Sequence, residues 1–285
     1  MSDTVRAVLL LECYVTVTLL APLLLGRLPL VAQRPVAMLA AWHGFLVTAV
    51  LSLGSGLGLL IHQGMAAQSG SGPDDAAIAA VPLAYVAAGV LGVLLFRIVE
   101  EGGRVVREAR RRAAEVATLL LASRPYRVAG RDARIVESEV PLAALSPATG
   151  VILLTTEARA RLDDDELAAV LEHETAHLEQ RHALAVRLAQ VSRAILPALP
   201  ASQRLALSTT IAIEFIADDH AARVAGPATV ASALRKLDPE GGLSALRADR
   251  MRHPRGGHRA ALRLLCAVAC ALPVLPVVIV LLPPA

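Results

Sequence analysis

Four long apolar stretches limit what this 285-residue sequence can fold into. They are Val8–Leu25, Val36–Ile61, Ala76–Ile98 and Leu262–Leu282. An α-helix rises about 1.5 Å per residue, so roughly 20 residues are enough to cross a hydrocarbon layer of about 30 Å. The sequence therefore predicts four transmembrane helices. The first stretch is longer than the apolar part of a signal peptide, and we treat it as a retained span.

The composition is typical of a membrane protein and excludes several other classes. Hydrophobic residues make up 55% of the chain, but aromatic residues make up only 2%, so the apolar content is mostly aliphatic. This excess excludes a disordered chain. The three cysteines, Cys13, Cys266 and Cys270, all lie in predicted spans. They therefore predict small packing residues rather than a disulfide framework.

The distribution of arginine predicts the orientation, because loops on the cytoplasmic side carry an excess of Lys and Arg. Residues 64–75 contain neither, whereas arginines cluster from Arg97 to Arg112 and from Arg247 to Arg263. We therefore expect a multi-pass protein of the cytoplasmic (inner) membrane with both termini outside and residues 99–261 in the cytoplasm. The net charge of +3 then indicates contact with anionic membrane lipid, and no direct contact with nucleic acid.

Residues 99–261 are long enough for one domain, which we expect to be a helix-rich α+β unit. Asp163 and Glu166 fit a capping box at the start of a helix. The other predicted elements are two helices and two strands of a small sheet: Arg104–Ala122, Ser208–Val224, Arg134–Val140 and Val151–Thr156. The fold class is thus a mainly α membrane protein. Residues 1–98 hold three spans, residues 99–261 form the cytoplasmic domain, and residues 262–285 form the fourth span and a short tail.

The motif His173-Glu174-Thr175-Ala176-His177 lies inside the helix that begins near Asp163. Histidines four residues apart are separated by about 40° around a helix, so both imidazoles can reach one Zn²⁺ ion. The glutamate between them can accept a proton from an attacking water. The motif predicts a zinc metalloendopeptidase with Glu174 as its base. The alternative is a pair of exposed histidines that bind no metal.

A catalytic zinc site needs a third protein ligand. Gln180 and Ala183 stand where a metzincin would have Gly and His, which excludes that pattern. Glu214 and Asp218 share one face of a mostly apolar helix, where uncompensated carboxylates would be costly. We predict that Glu214 is the third ligand and that Asp218 forms an outer hydrogen bond to a ligand imidazole. The alternative is that these acids face solvent.

Four other ionisable residues are candidates for a role. His220 is favoured as a contact to substrate or to the transition state, because it follows Asp218 on the same helix. His182 is interpreted as a surface residue. Glu12 and His43 lie inside predicted spans, where ionisable groups are usually paired. They are expected to pair with each other, to sense a signal, or, for Glu12, to reach water near a span end.

The two motifs together resemble the M48/M56 group of integral-membrane gluzincin peptidases. His173, Glu174, His177, Glu214, Ala217 and Asp218 match its HExxH and ExxAD pattern, and the four spans are similar to the M56 (BlaR1/MecR1-like) family. This resemblance implies a gluzincin fold, one zinc ion and cleavage of a cytoplasmic partner, such as a winged-helix repressor of the BlaI/MecI type. The external sensor domain of those receptors is expected to be missing, because three residues follow the fourth stretch.

The leading hypothesis is a zinc-dependent endopeptidase that cleaves a cytoplasmic-side protein in signal transduction. An M48-like protease of membrane protein quality control and a catalytically silent scaffold are the alternatives. Val151–Thr156 is expected to offer a strand edge to an extended substrate. A homo-oligomer is compatible with each hypothesis.

Overall fold

The computed structural model describes residues 2–26, 32–69, 75–128, 131–145, 150–180, 182–195, 200–239, 241–253 and 259–283. Helices dominate these residues, and one small sheet lies after the third helix. The order of elements follows the sequence prediction, with long apolar helices first and a mixed domain behind them.

The chain begins with three long helices, α1 (Asp3–Leu25), α2 (Pro35–Ser69) and α3 (Asp75–Ala122). Among the described residues, these are the helices long and apolar enough to cross a membrane. They contain the first three predicted spans, and their length and composition suggest a membrane protein. The helix predicted at Arg104–Ala122 is not separate, because α3 continues without a break from the third span to Ala122.

A four-stranded sheet follows, formed by β1 (Arg124–Val128), β2 (Arg131–Val136), β3 (Ala143–Leu145) and β4 (Ile152–Thr155). The strand order is β1-β2-β4-β3, with β2 and β4 parallel and the other two pairs antiparallel. The strand edge predicted at Val151–Thr156 is wrong, because β4 is hydrogen-bonded to β2 on one side and to β3 on the other. All four residues of β4 are buried, as expected for a central strand. The outer strand on that side is β3.

Among the described residues, the domain continues with six helices: α4 (Thr156–Arg161), α5 (Asp164–Glu179), α6 (His182–Ile195), α7 (Pro200–Ala225), α8 (Pro227–Leu237) and α9 (Gly242–Arg252). The predicted capping box at the start of α5 is confirmed. The Asp163 carboxylate accepts a hydrogen bond from the Glu166 backbone N–H at 2.8 Å, and the Glu166 carboxylate accepts one from the Asp163 backbone N–H at 3.0 Å. Helix α7 begins earlier than predicted and ends at Ala225, and the next residue, Gly226, has a φ of +86°.

Helix α5 is held between the sheet and α7. Leu167 and Leu171 of α5 pack in one cluster with Ile152 and Leu154 of β4. On another side, Ala169 of α5 and Ala221 of α7 belong to a second buried cluster. These alanines are small, so the two helices can approach closely. The packing places the middle of α5 opposite the second half of α7.

The predicted fourth span is divided into two short helices, α10 (Arg259–Ala271) and α11 (Val274–Leu281). Pro273 stands at the break and is the N-terminal cap residue of α11. Proline has no backbone N–H and cannot continue the hydrogen-bond pattern of a helix. Neither piece reaches the roughly 20 residues that a straight span requires. Both pieces pack against α2. The fourth span therefore stays a prediction from the sequence.

Helix α7 is anchored to the long apolar helices. Leu205 near its start belongs to a buried cluster with Val17 of α1 and with Trp42 and Phe45 of α2. The Arg204 guanidinium donates a hydrogen bond to the Pro22 carbonyl at 3.0 Å. The helix that carries Glu214 and Asp218 is therefore fixed at one end by the helices predicted to lie in the membrane.

Candidate metal centre

Three side chains from α5 and α7 converge on one point. The Nε2 atoms of His173 and His177 are 3.0 Å apart. The Glu214 carboxylate lies across from them, with Oε2 3.5 Å from His173 Nε2 and Oε1 3.6 Å from His177 Nε2. The three residues form a group of potential ligand atoms that lie within 4.8 Å of one another.

This triangle of donor atoms fits a zinc ion. Ligand atoms about 2.0–2.1 Å from a tetrahedral zinc lie about 3.3 Å from each other, close to the three separations between His173, His177 and Glu214. Two imidazoles and one carboxylate are also the donor set of catalytic zinc sites that keep a fourth position open. The residues present therefore suit the metal predicted from the sequence.

Asp218 orients the imidazole of His173. Its Oδ1 atom lies 3.1 Å from His173 Nδ1, and its side chain is fully buried. A proton on Nδ1 that is donated to Asp218 leaves the Nε2 lone pair directed toward the other ligands. Burial alone would lower the pKa of His173, but hydrogen bonds to Asp218 and Glu214 outweigh burial and raise this pKa to about 9. A metal ion would displace a proton from the imidazole on binding.

His182 orients the imidazole of His177. The interpretation of His182 as a surface residue is wrong, since it is only 4% exposed and its Nδ1 lies 3.0 Å from His177 Nδ1. Its Nε2 lies 3.3 Å from the Gln180 side-chain oxygen. Helix α6 starts at His182, directly after the turn that ends α5, so the imidazole folds back onto His177. A proton on His177 Nδ1 that is donated to His182 leaves His177 Nε2 free for a metal.

The pKa of His177 favours the neutral form that a metal requires. Burial is the main cause of its lowering, and the nearby His173 adds to it, so that the pKa falls to about 4. Burial also lowers the pKa of His182. Both imidazoles are therefore neutral near pH 7.

Arg247 of α9 is a second residue at this centre, besides His182, that was not predicted from the sequence. Its guanidinium donates two hydrogen bonds to Asp218, from Nε to Oδ2 at 2.9 Å and from Nη2 to Oδ1 at 2.7 Å. Its Nη1 lies 3.0 Å from Glu214 Oε2, and its Nη2 lies 3.2 Å from His173 Nε2. Arg247 was grouped with arginines that precede the fourth apolar stretch. The structure instead buries it in the domain.

The buried carboxylates are kept ionised by these partners. Burial would raise the pKa values of Glu214 and Asp218, but hydrogen bonds and charges from His173 and Arg247 outweigh it and hold both pKa values below their ordinary range. His173 and Arg247 thus compensate the free-energy cost of burying these two carboxylates on an apolar helix. A charged Glu214 is the form that binds a metal.

Glu174 faces a large cleft next to the three ligands. The cleft has a volume of about 1540 Å³, and Glu174 lines it together with His173, His177 and Glu214. Ala143, the first residue of the outer strand β3, lines the same cleft, as do Pro141 and Leu142 directly before it. The structure therefore brings a candidate base, a candidate metal site and a strand edge to one open space.

His220, Glu12 and His43 lie away from this centre. His220 Nε2 is 3.6 Å from a Glu172 oxygen, and His220 does not line the cleft in the described part of the chain. Its predicted contact with substrate has no support from this placement. Glu12 is exposed on α1, and His43 Nδ1 is 2.8 Å from the Leu39 carbonyl oxygen. No hydrogen bond or ion pair joins Glu12 to His43 among the described residues.

Residues 143–207 match the family model of Peptidase family M48. This match supports an M48-related peptidase. The M48 segment includes the outer strand β3, all of α5 with its two histidines and Glu174, and the start of α7, but it covers less than a quarter of the chain and ends before Glu214. No curated protein and no solved structure is significantly similar to the chain. Together with the apolar helices, the match indicates a membrane-associated metallopeptidase.

Proposed function

We propose that this protein is a zinc-dependent endopeptidase of the cytoplasmic membrane that cleaves a protein on the cytoplasmic side. The observation that carries the proposal is the convergence of His173 Nε2, His177 Nε2 and the Glu214 carboxylate beside Glu174 in an open cleft. The two histidines would hold the ion through Nε2, and Glu214 would hold it through a carboxylate oxygen. A bound zinc ion would polarise both a water molecule and the scissile carbonyl.

The side chains around the metal centre would have different roles in the reaction. Glu174 would accept a proton from the attacking water and pass it to the leaving amine. Asp218 and His182 would hold the two imidazoles in the orientation that directs Nε2 to the ion. Arg247 would balance the charge of Asp218 and Glu214.

The outer strand β3 is the place where an extended substrate would lie. Strand addition satisfies the backbone groups of a peptide with little dependence on its sequence. The β3 edge fits this role because β4 is already bonded on both sides and because residues 141–143 line the cleft. We therefore assign substrate binding to the edge of β3 instead of β4. The proposed mode of binding, strand addition, is unchanged.

The substrate that we propose is a soluble repressor of the BlaI/MecI type, which would make the protein a signalling protease of the M56 kind. The arginine distribution supports a cytoplasmic cleft, and such a repressor would reach it from that side. The alternative is a quality-control protease, which is favoured by the M48 match. Co-expression with a neighbouring repressor separates the two, since only the signalling protease would cut it at one site upon induction.

The purified full-length protein tests the zinc and protease assignments together. We expect about one zinc ion per chain and cleavage of fluorescently labelled casein. Glu174→Gln should retain zinc but lose most cleavage, because glutamine has a similar shape but cannot accept the proton. Glu179→Gln, an exposed change on the same helix, is the matched control and should cleave normally. A protein without stoichiometric zinc, or an active Glu174→Gln variant, would refute the proposal.

A further inference from the structure

The cleft beside the metal centre has two helical walls, and their charges are paired differently. One wall is the part of α3 from Arg104 to Val116, and the other is the part of α6 from Ala183 to Ala194. The arginines of the α3 wall are bound within α3 itself. Arg104 lies 3.3 Å from a Glu101 oxygen, and Arg112 lies 2.9 Å from a Glu108 oxygen.

The α6 wall carries two arginines without such partners. Arg187 and Arg193 line the cleft and are exposed, and no ion pair to either is found among the residues that the structure describes. Gln190 lies between them and lines the cleft as well. Residues three positions apart are rotated by about 60° from each other around the helix axis. These three side chains therefore lie on one face of α6.

No acidic side chain of the cleft forms an ion pair with this face among the described residues. Outside the metal centre, Glu108 and Asp238 are the acids among the described lining residues. Glu108 is held by Arg111 and Arg112, and Asp238 accepts a hydrogen bond from the Ser244 hydroxyl at 2.8 Å. The α6 face therefore carries two positive charges that can attract ligands of the opposite sign.

The contact between His182 and His177 places the start of α6 beside the metal centre. Arg187 lies five residues after His182 and Arg193 lies eleven residues after it, which is about 7.5 Å and about 16 Å along the helix axis. An extended peptide advances about 3.3 Å per residue. A substrate strand that runs along α6 would therefore place positions about two and about five residues from the scissile bond beside Arg187 and Arg193.

We propose that this cleft selects peptide segments with Asp or Glu at those positions, on one side of the scissile bond. Arg187 and Arg193 are then specificity residues that bind substrate carboxylates directly. This inference rests on the proposed protease function, because it places the scissile bond at the metal centre. The substrate class is thus an acidic peptide segment.

Cleavage of a mixed peptide library by the zinc-loaded full-length protein in detergent tests the selection. Mass spectrometry of the products should show Asp and Glu enriched two to five residues from the cut on one side. Arg187→Gln with Arg193→Gln should remove this enrichment and lower kcat/KM for acidic peptides by roughly tenfold, since each exposed charge pair contributes a few-fold. Arg187→Glu should shift the preference toward Lys and Arg. Arg235→Gln, an exposed change outside the cleft lining, is the matched control.

Two outcomes would overturn the inference. One is an unchanged cleavage profile in the double variant. The other concerns lipid: thermal stability is compared in nanodiscs of phosphatidylglycerol and of phosphatidylcholine. If the double variant loses the stabilisation by phosphatidylglycerol that the wild type shows, and cleaves as the wild type does, the arginines bind lipid headgroups instead.

A binding measurement separates this inference from the proposed function. If the wild type cleaves nothing, the protease proposal fails, and the cleft is then tested by fluorescence anisotropy with a labelled peptide containing three glutamates and its glutamine counterpart. The wild type should bind the glutamate peptide several-fold more tightly at low salt, and the double variant should not discriminate. Equal binding of both peptides by the wild type would refute the acidic preference.

Discussion

Arg247 and Asp218 are joined through both oxygens of the carboxylate, by hydrogen bonds of 2.9 Å and 2.7 Å. Asp218 also accepts from His173 Nδ1, so one fully buried carboxylate connects an arginine of α9 with a metal-binding histidine of α5. A carboxylate buried in this way is stable only while its partners remain. The pair therefore links the folding of the last helix of the domain to the geometry of the metal centre.

Replacement of Arg247 should destabilise the domain. Arg247→Ala would leave Asp218 charged, buried and without its main partner, and the loss of one member of a buried pair costs about 3–5 kcal/mol. Thermal unfolding of the purified protein measures this effect. Arg247→Ala combined with Asp218→Asn should be less damaging than Arg247→Ala alone, because no unpaired charge remains. Arg252→Ala, an exposed change on the same helix, is the control and should leave the unfolding temperature unchanged.

Replacement of Asp218 should weaken zinc binding without removing a ligand. Asp218→Ala takes away the acceptor that fixes the His173 imidazole, and loss of such an outer partner reduces metal affinity by about 10–100-fold. Competition with a fluorescent zinc chelator measures the affinity. An unchanged zinc affinity and unchanged activity would show that Asp218 does not orient His173. Asp249→Ala, at a half-buried position of α9 outside the metal centre, is a suitable comparison.

His182 should matter for zinc binding although it is not a predicted ligand. His182→Ala removes the group against Nδ1 of His177, so we expect zinc affinity to fall by about 10–100-fold. His182→Asn retains a hydrogen-bonding side chain and should recover part of the affinity, which a purely structural role would not explain. His253→Ala, on an imidazole that is mostly exposed, serves as the control. Equal affinities for His182→Ala and the wild type would contradict the orienting role.

The sequence predicted those parts of the centre that depend on helix periodicity. His173 and His177 are one turn apart, as are Glu214 and Asp218, and the Asp163 cap depends only on residues within the first turn of α5. Arg247 was not predicted at this centre because its partner Asp218 is far away in the sequence. An arginine before an apolar stretch is also typical of a membrane boundary. The order of the strands also depends on long-range pairing, which explains why the edge was assigned to β4 rather than β3.

Glu166 gives a prediction about stability that does not involve the metal. Burial would raise the pKa of Glu166, but hydrogen bonds from Lys236, Ser232 and the Asp163 backbone outweigh it and lower this pKa below its usual 4.5. A carboxyl group with a lowered pKa in the folded state contributes stability above its unfolded pKa and loses it as the pH falls through the folded pKa.

Glu166→Gln should therefore lower the unfolding temperature at pH 7, and the difference from the wild type should shrink below about pH 4.5. Thermal unfolding at several pH values measures this effect. Glu157→Gln, on the neighbouring helix α4, is the comparison because its ion pair with Arg161 is more exposed. A difference between Glu166→Gln and the wild type that does not depend on pH would show that the carboxylate charge is not the stabilising feature.

The orientation in the membrane can be tested without any assay of catalysis. Residues 64–75 contain no Lys or Arg, whereas the chain after the third predicted span is rich in arginine, so the end of α2 should lie outside and the sheet should lie in the cytoplasm. In a background with Cys13, Cys266 and Cys270 replaced by serine, Ser69→Cys and Glu139→Cys each place a thiol at an exposed position. An impermeant maleimide should label the cysteine at position 69 in intact cells and should label the one at position 139 only after the cells are opened. Labelling of position 139 in intact cells would place the metal centre outside and would exclude a cytoplasmic repressor as its substrate.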